Sequence, residues 1–251
     1  MEKRRWSKSK MKRRELLLGA AAFSAGVLVA LGGNNIYQEI RKQQSAEAAP
    51  LQPEYGEAEK ALTITWLPDT VKRWQPLIEK YGNQYGVDPN LLAIMMTLES
   101  GGDPNADSGE AKGLMQITDM TAGDINNRLI DEANKKPTYD LKNPDTSIEF
   151  GAIYAKHLID QYGNDDQGPS WDETVTLVTA GYNGGYVAAN LYRDEKWQGL
   201  EKYERQTIVY ARYARTMWQE RHDPLSFAYR HWLDTGNGKA LVANAEKYKM
   251  N

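Results

Sequence analysis

The segment LLAIMMTL at residues 91–98 constrains the fold most strongly, because it contains no charged side chain. Asp88-Pro89, a helix start with proline at the first helical position, stands directly before it. Ser100-Gly101-Gly102 ends the helix shortly after it. A helix that is apolar on nearly all sides has to be surrounded by protein. These residues therefore predict a central buried helix.

Other segments show helical periodicity between boundary residues. They are residues 69–85, which include Pro76, and residues 143–162, 171–182 and 201–221. Residues 228–233 (AYRHWL) predict one weaker helix. No segment shows sustained alternation of apolar and polar residues, so the predicted fold class is mainly α.

The N-terminus joins a basic block to an apolar run. Residues 1–14 carry eight Lys and Arg and one acidic residue, and residues 16–31 carry no charge. The run falls just short of the ~20 residues that span a bilayer, and Gly32-Gly33 can extend it. The flanking charge puts the N-terminus in the cytoplasm and the rest of the chain outside it. We predict a basic tip and signal-anchor over residues 1–33, with a cleaved signal peptide or a twin-arginine export signal as alternatives.

The remaining residues divide by composition into three parts. Residues 34–66 are polar and contain two prolines, which predicts a tether. Residues 67–224 are predicted to form the globular domain, and the sequence assigns no role to the extension at residues 225–251. Acidic residues outnumber basic ones after the first 14 positions, which argues against general nucleic-acid binding. With no Cys and three scattered His, no metal site and no cofactor are predicted.

Glu99 is the first charged residue of the apolar helix and lies at its C-terminal end. On a helix it shares a face with Met95 and Met96. Desolvation and the negative end of the helix dipole both raise a carboxyl pKa and favour the protonated acid. A glycosidase needs a protonated acid that donates to a leaving oxygen. The alternative is that Glu99 is merely the first solvent-exposed residue after the core.

Two short motifs follow Glu99-Ser100. Gly113-Leu114-Met115-Gln116 comes after a loop rich in Gly, Asp and Ser, and Gly181-Tyr182-Asn183-Gly184-Gly185 comes at the end of a predicted helix. In this order and spacing, over about residues 70–221, the motifs resemble those of the lytic transglycosylase family. The resemblance is to the branch with a soluble-lytic-transglycosylase (SLT) domain, whose fold is like goose-type lysozyme.

Two departures from the family pattern are visible. The family has Ala-Tyr-Asn-Ala-Gly where this chain has Gly at positions 181 and 184. Its later Glu-Thr-x-x-Tyr-Val segment is placed on residues 204–209, where Glu204 and Val209 agree. Arg205 and Ile208 stand there in place of Thr and Tyr.

The resemblance implies a lysozyme-like helical domain, which would follow the N-terminal membrane-anchor helix that the basic block and the apolar run predict. It also implies that Glu99 acts as acid and then as base on the β-1,4 bond between N-acetylmuramic acid and N-acetylglucosamine in peptidoglycan. The products would be 1,6-anhydro ends, formed without water, metal or cofactor.

The resemblance further implies a set of substrate-binding residues: Ser100, Gly113, Met115, Gln116, Tyr182, Asn183 and Glu204. Tyr182 is expected to bond the carboxyl or the sugar at the cleaved bond, and Met115 to lie beneath a sugar ring. Ser100 is expected to orient the substrate acetamido group or Glu99, while Gln116 and Asn183 bond N-acetyl groups. Glu204 fits a surface charge equally well.

Two other functions are compatible with the same residues. A hydrolytic muramidase would pair Glu99 with a water-activating Asp103 or Asp107. A non-catalytic module would only bind the glycan.

Topology suggests the cellular setting. The chain is expected in the inner membrane through residues 16–33, with its domain in the periplasm, or wholly periplasmic after signal cleavage. Its expected partner is the peptidoglycan glycan strand. Topology alone suggests that it opens the wall for a secretion or conjugation apparatus.

Overall fold

The computed structural model describes residues 59–163, 171–193 and 202–249. The predicted anchor at residues 16–33 and most of the predicted tether lie outside these ranges. Within them, no helix combines the length and the hydropathy needed to cross a membrane. The contacts described below lie within one compact unit of the chain.

The described residues are mainly helical, as predicted. The α-helices are α1 (Asp69–Lys72), α2 (Gln75–Tyr85), α3 (Pro89–Ser100), α4 (Asp119–Asp124), α5 (Pro144–Tyr162), α6 (Trp171–Arg193), α7 (Lys202–Gln219), α8 (Phe227–Asp234) and α9 (Gly236–Ala245). A π-helical turn (Ile125–Leu129) and a 3-10 turn (Glu132–Asn134) follow α4. Two short antiparallel strands, β1 (Ala111–Lys112) and β2 (Ile117–Thr118), pair Ala111 with Thr118.

Helix α3 is the central helix that its composition predicts. Asp88 caps it by accepting the amide of Asn90, and Gly101 ends it in the left-handed conformation, with φ 62°. Residues 91–98 are all buried. Helices α1, α2, α5 and α7 all contact α3. Full burial of one such apolar side chain contributes about 1.5–3 kcal/mol, so this helix anchors the core.

Two helices differ from the prediction in their bounds. The segment 69–85 is split into α1 and α2, and Pro76 is the second residue of α2, where its missing amide costs nothing. The helix predicted to end at residue 182 continues as α6 to Arg193. It is interrupted at Gly185, where φ 74° and ψ 179° are non-helical.

The predicted C-terminal extension packs on the domain. The predicted helix at 228–233 is confirmed as α8, whereas α9 was not predicted. A side chain added at Gly101 would collide with the backbone of Leu241 and Val242, so α9 lies directly against the end of α3. Arg73 donates to the carbonyl oxygens of Ala245 and Tyr248, at 3.2 and 2.8 Å, and holds the chain end there.

Residues 59–66, predicted as the end of the tether, also contact the domain. The Thr65 amide donates to the Arg221 carbonyl oxygen at 3.0 Å. The Trp66 indole donates to the Glu220 carbonyl oxygen at 2.9 Å and stacks on Tyr229. This segment is therefore an arm that joins the end of α7 to α8.

Candidate active site

Glu99 is half-buried at the C-terminal end of α3. Burial removes water from its carboxyl and raises its pKa to about 7, while a contact with Tyr210 opposes that rise. The rise has the direction that the sequence predicts. A carboxyl with a pKa near 7 is partly protonated at neutral pH, so it can donate a proton and later accept one.

Tyr210, on α7, is the hydroxyl that acts on Glu99. Burial raises its pKa well above the ordinary value, and the Glu99 charge adds to this rise. Its hydroxyl oxygen nevertheless has no partner at hydrogen-bonding geometry. The pair is therefore a close electrostatic contact between the hydroxyl and the carboxyl.

Tyr182, on α6, also lies near Glu99. Burial raises its pKa well above the ordinary value, and the nearby charge of Glu99 adds to this rise. Its hydroxyl donates to the Met115 carbonyl oxygen at 2.8 Å. The Tyr182 hydroxyl proton, which was expected to bond Glu99 or a sugar, is thus donated to the turn formed by residues 113–116 (the GLMQ turn). The hydroxyl oxygen can still accept a hydrogen bond.

Ser100 has a structural position, contrary to the expected contact with substrate or Glu99. Its side chain is fully buried and donates to the Leu114 carbonyl oxygen at 2.7 Å. It also accepts the Gly102 amide at 3.1 Å. Because these partners use its hydroxyl, Ser100 joins the end of α3 to the GLMQ turn and so positions Glu99 indirectly.

Gly113 opens the GLMQ turn in a space that admits no side chain. Its φ is 76°, and a Cβ atom would lie 1.8 Å from the Leu141 carbonyl oxygen. The Ser147 hydroxyl accepts the Met115 amide at 3.1 Å, a role that the sequence did not indicate. The Met115 side chain is fully buried and packs against Gly151, so the expected position beneath a sugar ring is not the one observed.

Gln116 has the one positive φ, 46°, among the non-glycine residues that the structure describes. Its side-chain amide nitrogen, Nε2, donates to the backbone carbonyl oxygens of Ala106 and Gly113, at 3.2 and 3.0 Å. These two carbonyls fix the orientation of the amide. Its oxygen is left as an acceptor of fixed direction, which suits the N–H of an N-acetyl group.

Asn183 and Thr207 join α6 to α7. The Thr207 hydroxyl donates to the Asn183 side-chain oxygen at 3.0 Å. Gly184 permits this approach, because a Cβ there would lie 2.7 Å from the Thr207 hydroxyl oxygen. Asn183 itself is exposed. Glu204 belongs to α7, but its side chain lies outside the described ones.

The structure corrects the register of the late motif. A shift of two residues puts Glu-Thr-x-x-Tyr-Val on residues 206–211, where Thr207 and Tyr210 agree with the pattern and Gln206 and Ala211 depart from it. These two matching residues contact Asn183 and Glu99, respectively. The role of Glu204 in the first register stays a prediction, because its side chain lies outside the described ones.

The two aspartates that could activate water in a muramidase, Asp103 and Asp107, both have other partners. Asp103 accepts the Asn105 amide at 2.9 Å. Asp107 forms an ion pair with Lys142 at 2.9 Å and accepts the Gly109 amide, and Lys142 lowers its pKa. Among the described residues, no carboxylate contributes to the pKa of Glu99.

Comparison with known proteins gives the family. The model described as the transglycosylase SLT domain matches residues 76–204, just over half of the chain. The chain belongs to this SLT family. The resemblance drawn from Glu99, GLMQ and GYNGG is thereby confirmed.

Curated relatives include the endo-type membrane-bound lytic murein transglycosylase A of Salmonella paratyphi B and of Salmonella typhimurium. Each is 42% identical over 137 residues, which cover 52% of this chain and 64% of the relative. The chain thus spans less than two thirds of the length of these relatives. A solved structure, an inactive mutant of the lytic transglycosylase Slt from Pseudomonas aeruginosa, matches 62% of this chain and 23% of its own, with 20% identity and a TM-score of 0.40.

Proposed function

We propose that this SLT-family chain is a peptidoglycan lytic transglycosylase. The observation that carries the proposal is the state of Glu99: a desolvated carboxyl with a pKa of about 7 and, among the described residues, no second carboxylate acting on it. The names of the Salmonella relatives, lytic murein transglycosylases, support the same activity.

In the first step, protonated Glu99 gives its proton to the glycosidic oxygen between N-acetylmuramic acid and N-acetylglucosamine. The bond from that oxygen to C1 of the muramic acid breaks, and N-acetylglucosamine leaves with a new 4-hydroxyl group. The acetamido oxygen of the muramic acid stabilises the positive charge at C1. A nucleophilic enzyme carboxylate, which retaining glycosidases use, is not needed.

In the second step, Glu99 is a carboxylate and takes the proton of the muramic acid 6-hydroxyl. The 6-oxygen forms a bond with C1, which leaves a 1,6-anhydro end and returns Glu99 to its protonated form. One carboxyl thus serves twice, so its pKa has to lie near the working pH in order to favour both transfers.

The other residues of the site hold this geometry. Tyr210 stabilises the carboxylate form of Glu99 between the two steps. Tyr182 and Ser100 tie the GLMQ turn to α6 and α3, and the Gln116 oxygen accepts an N–H from an N-acetyl group. The exposed Asn183, held by Thr207, offers an amide to the sugar.

Product analysis tests the activity. Purified peptidoglycan sacculi are digested with the full chain, and the muropeptides are weighed by mass spectrometry. We expect muramic acid ends that are lighter by one water than hydrolytic reducing ends. Reducing ends without the anhydro form would instead assign the chain to hydrolytic muramidases.

We also propose that the domain works outside the inner membrane, with residues 16–33 as its anchor. The basic residues before this run and the name "membrane-bound" of the relatives support this location. Protease added to intact spheroplasts should degrade the domain. A protected domain would contradict the orientation. The role in opening the wall for a secretion or conjugation apparatus stays a prediction from topology.

A further inference from the structure

A continuous row of rings leads away from Glu99 along α5 and α6. Tyr182, which senses the Glu99 charge, lies 5.4 Å from Tyr154 between ring centroids. Tyr154 lies 6.5 Å from His157, and His157 meets the ring of Tyr186 edge-on at 5.9 Å. The row therefore connects the candidate acid with the surface.

Tyr186, at the outer end of the row, is both exposed and fixed. Its exposed fraction is 39%, one of the largest among the apolar and aromatic side chains of the described part. The His157 imidazole forms a hydrogen bond with its hydroxyl, and the Tyr162 hydroxyl donates to its carbonyl oxygen at 3.5 Å. A single exposed tyrosine needs no explanation, but a ring held in one orientation offers a preformed stacking face.

The helix break at Gly185 determines the position of the Tyr186 side chain next to α5. The non-helical φ and ψ of Gly185 interrupt α6 one residue before Tyr186. The space around the Gly185 Cβ position is empty, so its glycine serves the backbone conformation rather than close packing. The chain therefore restarts its helix with Tyr186 directed toward α5.

The π-helical turn and the end of α4 lie near Tyr186. Burial raises the pKa of Tyr186, the Arg128 charge opposes the rise, and the Asp124 charge adds to it. Arg128 and Asp124 form an ion pair with each other at 3.6 Å, so their charges largely cancel. The two charges that act on Tyr186 thus offset each other, which suits a neutral ligand better than an acidic peptide.

We propose that Tyr154, His157 and Tyr186, here named the aromatic ledge, bind a sugar of the glycan strand away from the bond that is cleaved. A hexosamine ring has an apolar C–H face that stacks on Tyr186 and hydroxyl groups that bond the imidazole of His157. Because the rings continue from Tyr182, which lies near Glu99, a strand with its scissile bond at Glu99 can extend toward the ledge. The assignment of the ligand rests on the proposed function.

The test measures binding without cleavage. The detergent-solubilised full chain carries Glu99→Gln in all samples, so strands remain intact whichever reaction the wild type performs. NMR titration gives the Kd for long uncleaved glycan strands and for one N-acetylglucosaminyl-N-acetylmuramic acid disaccharide. We expect Tyr186→Ala to weaken binding of long strands by about tenfold, the range of one aromatic stacking contact. The Kd for the disaccharide should not change.

Two variants make the test specific. Val187→Ala is the matched control, because Val187 is the next residue and is 68% exposed. It should leave both Kd values unchanged, and Tyr186→Phe should keep most of the affinity for long strands because the ring remains. An unchanged Kd for long strands in Tyr186→Ala would contradict sugar binding at the aromatic ledge. An equal loss of affinity for the strand and for the disaccharide would contradict it as well. Failure of the proposed reaction would show separately, in the products of the wild type.

Discussion

Helix α3 has a carboxylate at each end, and the two differ in their partners. Asp88, at the N-terminal end, is 3% exposed and accepts hydrogen bonds from the Glu59 amide, the Asn90 amide and the Asn90 side chain. The distances are 2.8, 2.8 and 3.0 Å. For Glu99, at the C-terminal end, the Tyr210 contact is the one interaction among the described residues that lowers its pKa.

The comparison shows how one buried helix makes two kinds of carboxyl. Burial raises the pKa at both ends. At Asp88 several hydrogen bonds oppose the rise without cancelling it, and at Glu99 the Tyr210 contact opposes it. The positive end of the helix dipole further favours a carboxylate at Asp88, and the negative end disfavours one at Glu99. A carboxyl with many partners stabilises the helix, and one with few partners becomes a proton donor.

Removing the acid is expected to have the largest effect. Glu99→Gln keeps the shape of the side chain but cannot transfer a proton, so cleavage of sacculi should fall by about 10²–10⁴-fold. Release of soluble muropeptides measures it. The control is Glu132→Gln on the exposed 3-10 turn, which should retain full activity. Undiminished release by Glu99→Gln would favour a function without catalysis by this residue.

Removing the carboxylate at the other end should act on stability instead. Asp88→Ala leaves the amides of Glu59 and Asn90 without their acceptor and removes the helix cap, which costs about 2 kcal/mol of unfolding free energy. Urea unfolding measures this loss, and Asp88→Asn, which retains an acceptor oxygen, should lose less. If Asp88→Ala changed the pH profile of cleavage and left the free energy of unfolding unchanged, the assignment of stability to Asp88 and of catalysis to Glu99 would be contradicted.

Tyr210→Phe should give a smaller change that appears in the pH profile. Loss of the hydroxyl removes the interaction that lowers the pKa of Glu99, so this pKa rises. Since only protonated Glu99 can start the reaction, kcat/KM falls above that pKa. The alkaline limb should therefore move to higher pH by a few tenths to about one unit. A limb that moved to lower pH would reverse the assigned role of Tyr210.

Much of the fold could be predicted because its determinants are local. The starts of α3 and α5 coincide with Asp88-Pro89 and Asn143-Pro144. The side chains of Asp88 and Asn143 cap the first turn of each helix. The two-residue strands and α9 could not be predicted, because their sequences carry little periodicity. They are stabilised by contacts with distant residues, such as the packing of Leu241 on Gly101.

The candidate site divides in the same way. Glu99 and its raised pKa follow from an acid at the end of an apolar helix. The positions of Ser100 and Met115 do not follow from their motifs, because the packing of the turn on α3 and α5 buries both side chains. Tyr210 does not stand out in the sequence, because the late motif placed on residues 204–209 stops one residue before it. The match to the family model also ends before it, at residue 204.

The pKa of the Glu99 carboxyl tests the central claim most directly. Full-length protein with ¹³C-labelled glutamate carboxyls is titrated by NMR, and the spectrum of Glu99→Gln identifies the resonance of Glu99. We predict a midpoint near pH 7. A midpoint near 4.5, the ordinary value for glutamate, would contradict the account, because Glu99 would then be ionised at neutral pH and unable to donate its proton.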